Sequence, residues 1–347
     1  MNSFADSRGP WIIAEMSGNH NNSREHALSI IDAAAASGVH AIKFQTYTAD
    51  TMTIDIRHGD FVIDDPKSLW SGRSLYDLYD EASTPWEWHE ELFAHARGKG
   101  LVPFSTPFDE TAVDFLEALN VSIYKIASFE NTDHALIRKV ARTGKPLIIS
   151  TGMASVDDLA DAVAVAREGG CSDLTLLKCT SAYPAPADSV NLLTIPDMRE
   201  RFGCAVGLSD HTLGIGVAVA SVALGVRVIE KHFTLNRGLG GVDSAFSMEP
   251  AEMAQLVTES QRAWLSLGEV TYGTSDADES SLVFRRSLYV VQGIKAGDKF
   301  TSQNVRAIRP GLGLSPKHLD DVLGRVAACD IDRGTPLAWN LVTEESS

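Results

Sequence analysis

Short apolar runs recur along the first 268 residues, each followed by a longer stretch in which apolar side chains return every three or four positions. The runs at 11–15, 41–46, 101–105, 123–127, 147–150, 174–179, 205–208 and 226–230 are brief and nearly continuous, as in strands buried on both faces. Between them the 3.6-residue period predicts helices over 24–37, 86–97, 111–119, 134–142, 156–168 and 215–224. A last helix, 250–267, opens on Pro250, which suits a first helical turn because no intrahelical bond needs its missing N–H. Eight strand-helix units within about 260 residues have the count and length of a TIM (β/α)8 barrel, an α/β fold. The competing arrangement is an open doubly wound sheet, and the lack of a G-x-G-x-x-G after the first strand weighs against it.

The pattern breaks in two places. The connection 47–85 is long for a compact domain, and connections of that length are usually lids over a working face or cover for a partner. Beyond 268 a polar, acidic stretch, 269–282, reads as a linker. The remainder has short β-like runs such as 287–291 and turn signals at Lys295-Ala-Gly-Asp298 and Asp332-Arg-Gly-Thr335. The expected organisation is a barrel over 1–268, a linker over 269–282 and a small β-rich domain over 283–347, near the lower size at which a core sustains itself.

Composition adds exclusions. With 44% hydrophobic and 22% charged residues, the 347-residue chain is ordinary globular protein. A formal charge of −16 is the wrong sign for nucleic acid or an anionic membrane, so neither is expected as a partner, and an anionic substrate would need cations gathered at its site. Residues 1–10 hold no apolar leader core and no run of about 18 uncharged apolar residues occurs, so a soluble cytoplasmic protein is expected. Cys171, Cys179, Cys204 and Cys329 form no C-x-x-C pair and read as reduced thiols, three of them in apolar surroundings.

Barrels place their chemistry at the C-terminal ends of the strands, and polar residues gather there. Glu15 and Asn19-His20-Asn21 follow the first run, Lys43 and Gln45 lie on the second, Thr106 follows the third, and Lys125, Ser128 and Glu130 belong to the fourth. Ser150 and Thr151 end the fifth, Thr180, Ser181 and Tyr183 the sixth, Ser209, Asp210 and His211 the seventh, and Glu230, Lys231 and His232 the eighth. Two lysines in otherwise apolar strands, flanked by Ser128, Ser150 and Ser209, suit a cradle for a phosphate and a carboxylate. His211 and His232 suit two ligands of one divalent metal or a packed, hydrogen-bonded pair, and spacing alone leaves both open. Glu15, Glu130 and Glu230 fit either partners for the lysines or bases beside a bound water. Asp210 reads as a support for its loop rather than a ligand, and His20 fits loop ordering and substrate contact equally well.

These residues carry a resemblance. Ala14-Glu-Met-Ser-Gly-Asn-His-Asn21, Lys43-Phe-Gln-Thr-Tyr-Thr-Ala-Asp-Thr-Met52, Tyr124-Lys-Ile-Ala-Ser-Phe-Glu130, Ser150-Thr-Gly-Met153, Gly207-Leu-Ser-Asp-His-Thr212 and Glu230-Lys-His-Phe-Thr-Leu235 together resemble the sialic acid synthase family. Arg309-Pro-Gly-Leu-Gly-Leu-Ser-Pro316 is similar to that family's C-terminal antifreeze-like (SAF) domain, and the likeness runs in order from about residue 11 to 342. Within the family, Leu69-Trp70, Leu75-Tyr-Asp-Leu-Tyr79, Thr84-Pro-Trp-Glu-Trp-His89 and Leu177-Lys-Cys-Thr-Ser-Ala-Tyr-Pro184 resemble the branch that makes pseudaminic acid. Ser181 stands where the branch acting on N-acetylmannosamine typically has asparagine.

The resemblance implies an enzyme that condenses phosphoenolpyruvate with a six-carbon N-acyl amino sugar, releasing phosphate by C–O cleavage. It implies a divalent cofactor, Mn2+ or Mg2+, on His211 and His232, and phosphoenolpyruvate on Lys43, Lys125, Ser128, Ser150, Ser181 and Ser209. Gln45, Thr106, Tyr183 and Asp243 match sugar contacts, and Arg309 matches an arginine lent to the partner's site in a domain-swapped homodimer. Glu15, with Glu130 in reserve, is the expected manager of the attacking water's protons. The alternatives are a sister synthase for N-acetylneuraminate or legionaminate, a metal-dependent pyruvate aldolase, and a non-catalytic sugar-binding protein.

Overall fold

The computed structural model describes residues 9–343; the outer ends of the two expected domains, 1–8 and 344–347, and most of the segment read for a leader lie outside the described residues. The chain divides into two compact units, Met1–Gly268 and Glu269–Ser347. In the first, eight parallel strands close into a barrel in sequence order, with β1 paired to both β2 and β8. They are β1 Trp11–Glu15, β2 Ala41–Thr46, β3 Val102–Pro107, β4 Tyr124–Ile126, β5 Leu147–Ser150, β6 Leu174–Cys179, β7 Ala205–Ser209 and β8 Val228–His232. The helices are α1 Arg24–Ala36, α2 Ala49–Met52, α3 Leu75–Ala82, α4 His89–Gly98, α5 Glu110–Ala118, α6 His134–Ala141, α7 Val156–Glu168, α8 Thr194–Phe202, α9 Gly216–Val222 and α10 Pro250–Ser266.

Strand side chains alternate between two environments because the pleat turns successive residues to opposite faces. Ile12, Ala14, Ile42, Phe44, Tyr124, Ile126, Ile149, Leu176, Leu208 and Ile229 meet the helices in the main core. Ile13, Ala41, Phe104, Ile123, Ile148, Leu177 and Val228 form a separate cluster inside the ring. Each fully buried Ile, Leu or Phe contributes about 1.5–3 kcal/mol of apolar transfer. Gly207 lies among the inner set, and a Cβ there would collide with the Val228 carbonyl and the Leu177 side chain.

Helix starts follow capping chemistry. The Ser23 hydroxyl accepts the His26 N–H at the start of α1, Asp109 accepts the N–H groups of Thr111 and Ala112 before α5, and Ser155 and Asp158 form a reciprocal box before α7.

Three features differ from the sequence-based expectation. β8 runs two residues further than expected, so His232 is its last residue rather than a residue beyond it. Helix α8 was not anticipated: Pro196 and four charged residues mask its apolar stripe, yet Ile195, Met198 and Phe202 recur at helical spacing and are buried. The long connection after β2 contains α2 and α3, with Leu78 and Ala82 buried.

The second unit has its own core of Leu288, Val290, Ile294, Phe300, Val305, Val322, Ile331 and Leu337. Its strands β9 Ser287–Val290 and β10 Val305–Ile308 pair antiparallel. Among the described residues no helix is long and apolar enough to cross a membrane.

Candidate active site

The pleat that builds the inner cluster also builds the site. Continuing each strand by the same period of two places Glu15, Lys43, Gln45, Lys125, Ser150, Cys179, Ser209, Glu230 and His232 at the last inward positions, and all of them line one cavity of about 360 Å³. Ser128, Glu130, Tyr183, His211 and Asp243 join from the loops beyond. A larger groove of about 700 Å³ lies against α7 and α8, lined by Leu159, Met198 and Phe202, and shares none of these residues.

Two buried lysines hold the floor. Lys43 Nζ lies 2.9 Å from Glu15 Oε2 and 3.5 Å from Glu230 Oε1, and donates to Thr106 Oγ1 at 3.2 Å. Lys125 Nζ donates to Ser150 Oγ at 2.5 Å and the Ile126 carbonyl at 3.1 Å, and stands 3.9 Å from Glu230 Oε1. Ser209 Oγ donates to Glu230 Oε1 at 3.1 Å, and Gln45 Nε2 donates to Glu15 Oε1 at 3.0 Å.

Burial and charge divide the carboxylates. Desolvation pushes Glu15 up to about 7 despite the pull of Lys43, with Glu230 adding repulsion. Glu230 is buried as deeply, but Lys125 and Lys43 outweigh that burial and hold it below the usual range. Desolvation brings Lys125 down to about 8, partly offset by Glu230. Glu130 is raised to about 7 by burial, and its Oε2 has no hydrogen-bond partner. Near neutrality Glu15 is therefore part-protonated, and two ammonium groups face one fully ionised carboxylate. An acidic protein thus carries, inside its barrel, the surplus positive charge an anion needs.

The imidazoles stand beside this floor with ring centroids 5.3 Å apart. Because a carbonyl can only accept, the 2.9 Å contact of His211 Nδ1 with the Thr180 oxygen puts a proton on Nδ1 and makes Nε2 the nitrogen left for a ligand. Against the effect of burial, Cys179, that carbonyl and Glu230 raise the imidazole above its ordinary range. Burial and the neighbouring His211 hold His232 far below its ordinary range, so it is neutral. Its Nδ1 is buried without a hydrogen bond, 3.9 Å from Asp243 Oδ2. Asp243 itself accepts from the Ser17 hydroxyl. Two imidazoles, one orientated through its second nitrogen and one with an unpartnered nitrogen, fit a borderline divalent ion. Among the described residues no cluster of three or more His, Cys, Asp or Glu could hold a metal, so the other positions would fall to water and substrate.

Other expected residues stand back from the cavity. Thr106 is buried and supports Lys43. Ser181 packs against Gly152, where a Cβ would strike both its hydroxyl and that of Ser128, and its Oγ has no partner. Ser128, which does line the cavity, accepts the Gly152 N–H on its Oγ at 3.1 Å. His20 is buried and orders its loop, meeting Thr84 Oγ1 at 3.2 Å and accepting the Asn22 N–H at 3.1 Å. Arg309 is exposed in the second unit, directly after β10.

One reading needs correction, by strand parity. Lys231 was placed with the rim, yet its side chain points outward, where Nζ meets Asp210 Oδ2 at 2.9 Å, the Thr212 carbonyl at 2.6 Å and the Gly214 carbonyl at 3.0 Å. That bond set pins the loop carrying His211, and Asp210 is the loop support expected of it. Cys179 is a free, buried thiol, as expected, and it also lines the cavity with Sγ 3.9 Å from His211 Nδ1. The roof was legible only as a long loop; it supplies Tyr47, Met52, Ile63, Trp70, Leu75, Leu78 and Tyr79.

An eight-stranded barrel with paired lysines and paired imidazoles at its strand ends defines a class of enzyme that handles an anionic substrate beside an electrophile. The chain belongs to the NeuB family, which matches residues 30–272, and the SAF domain matches residues 285–343. It is 42% identical over 337 residues to the pseudaminic acid synthase of Campylobacter jejuni subsp. jejuni serotype O:23/36 (strain 81-176), covering 96% of this chain and 97% of that one. It is 43% identical over 330 residues to the pseudaminic acid synthase of Helicobacter pylori (strain ATCC 700392 / 26695), covering 95% and 96%. Among solved structures, the N-acetylneuraminic acid (sialic acid) synthetase of Leptospira borgpetersenii serovar Hardjo-bovis in complex with citrate matches with a TM-score of 0.70 at 30% identity, over 80% of this chain and 91% of that one.

Proposed function

We propose that this chain condenses phosphoenolpyruvate with 2,4-diacetamido-2,4,6-trideoxy-L-altrose and water to give pseudaminic acid and phosphate. The observation that carries the reading is the buried Lys43–Glu230–Lys125 floor beside His211 and His232. The two full-length relatives named pseudaminic acid synthase support the choice of sugar.

Lys43 and Lys125 bind the phosphate and carboxylate of the enol ester, with Ser128, Ser150 and Ser209 as neutral donors. Bound this way, the methylene carbon faces the sugar aldehyde, with Gln45, Tyr183 and Asp243 on the sugar side and Thr106 holding Lys43 in place. His211 and His232 would hold a divalent ion, Mn2+ or Mg2+, which when bound supplies polarisation of the aldehyde oxygen. A carbon–carbon bond forms between the methylene and aldehyde carbons while positive charge develops at the enol carbon. The aldehyde oxygen takes a proton from part-protonated Glu15 to become a hydroxyl, water adds to the enol carbon and returns a proton to Glu15, and the tetrahedral intermediate expels phosphate by C–O cleavage, its hydroxyl proton leaving on the phosphate as the keto group forms. Part-protonation near neutrality equips Glu15 for this exchange, and Glu130 is the reserve. Arg309 is assigned to the cavity of a partner subunit in a swapped homodimer, on the family resemblance.

The test is phosphate release with a panel of sugars. The diacetamido-trideoxy sugar is expected to outrun N-acetylmannosamine and the legionaminate precursor, and chelation is expected to stop turnover until Mn2+ is restored. Preference for another sugar makes the chain a sister synthase, and turnover of pyruvate without phosphate release makes it an aldolase. Oxygen-18 in the bridging position of phosphoenolpyruvate should leave with phosphate; its retention in the keto acid would overturn the C–O route.

A further inference from the structure

The cavity has two chemical halves. Its floor, from the strand ends, is charged; its roof is mainly apolar, built by Met52, Ile63, Trp70, Leu75 and Leu78 from the connection after β2, with Phe108 and the phenol rings of Tyr47 and Tyr79 beside them. A substrate that reacts through an aldehyde at the floor must present its far end to this roof.

Trp70 ties the roof to the loop that carries Asp243. Its indole Nε1 donates to the Val242 carbonyl at 2.9 Å, one residue before Asp243. Its ring lies 5.8 Å from that of Tyr183, which in turn stands 4.5 Å from the ring of His211 and 5.1 Å from that of Phe246. A chain of tilted aromatic contacts therefore runs from the roof to the His211 imidazole, and Trp70 closes its upper end. Both of its ties are to residues around the sugar half of the cavity; neither is to Lys43 or Lys125.

We propose that Trp70 is a specificity-determining residue that reads the C4–C6 end of the sugar, favouring a methyl group at C6 and an acetylated nitrogen at C4 over hydroxyls. This rests on the sugar assignment above. The diacetamido-trideoxy sugar carries three methyl groups, two acetyl and one at C6, whereas N-acetylmannosamine carries one. A hydroxyl pressed against indole and leucine loses its water without gaining a partner, and an absent methyl leaves apolar surface unfilled.

Trp70→Ala and Trp70→Phe, assayed with both sugars, test it. For Trp70→Ala the ratio of kcat/KM for the deoxy, diacetylated sugar to that for N-acetylmannosamine should fall about tenfold or more, the size of one apolar group's discrimination. The loss should fall mainly in KM for the deoxy sugar, with KM for phosphoenolpyruvate unchanged. Trp70→Phe keeps an apolar ring and should retain most of the ratio. An unchanged ratio with activity lost equally on both sugars overturns the proposal and leaves Trp70 a tether for its segment. If the unaltered enzyme itself prefers N-acetylmannosamine, the sugar assignment falls and the proposal falls with it; preference for the deoxy sugar with an insensitive ratio sinks the proposal alone.

Discussion

Lys125 donates to a serine hydroxyl and a backbone carbonyl, neither of which stabilises its charge as a carboxylate in contact would, and burial brings it down to about 8. Glu15 and Glu130 are raised to about 7 by the same loss of water. Their signs set the pH profile. As pH falls through about 7 the base takes up a proton and cannot accept the water's, and as pH rises through about 8 Lys125 loses the charge that holds phosphoenolpyruvate. A plot of kcat/KM for phosphoenolpyruvate should therefore peak between these limits. Lys125→Arg, whose guanidinium keeps its charge, should move the alkaline limb upward at some cost in maximum rate. Glu15→Gln should lower kcat by about 100-fold or more, within the range a positioned base contributes, while Glu130→Gln should keep the acid limb. Loss of that limb in Glu130→Gln, measured across the same pH range, would transfer the base's role to Glu130.

At the scale of elements, the strand is the unit that assigns function. Along β8, Glu230 and His232 enter the cavity while Lys231 between them braces a loop, although all three are charged or ionisable and adjacent. The same alternation leaves no room inside β7 at Gly207. Gly207→Ala should cost about 1–3 kcal/mol, the range for overpacking a filled core, seen as a lower denaturant midpoint with an unchanged slope. Since Gly207 lies two residues before Ser209, it should also weaken phosphoenolpyruvate binding; an alanine variant as stable as the parent would show that the strand can shift to admit the methyl. Most of the barrel's elements were legible because buried strands and amphipathic helices have distinct periods. Helix α8 was not, because its charged positions and Pro196 outnumber the three apolar residues that hold it.

At the scale of the molecule, a chain of formal charge −16 confines its useful positive charge to the inside of a barrel, where strand ends and helices exclude water. The second unit carries Arg309, and the resemblance assigns that arginine to a partner subunit. Mixing Arg309→Ala with His211→Ala under conditions that exchange subunits tests it. Two separately inactive proteins should regain up to a quarter of the parent's activity on a per-site basis if one hybrid subunit pair assembles an intact site, and light scattering should give the mass of a dimer. No recovery, despite demonstrated exchange, would place Arg309 in its own chain's chemistry or outside it.

What the amino-acid order determined by itself was most of what is local or periodic: the eight strands, the break near residue 268, the polar residues at strand ends and the motifs of the family. Tertiary structure decided which of those residues meet. Lys43 and Glu230 lie far apart in sequence and 3.5 Å apart in the barrel, so their shared charge exists only once the sheet has closed. Closure also removes the water, and it is desolvation, a property of the surroundings rather than of any residue, that moves Glu15, Glu130 and Lys125 toward neutrality. The mainly apolar roof follows the same rule: its residues come from a long connection with only short helices, and only its folding over the strand ends made Trp70 part of the site.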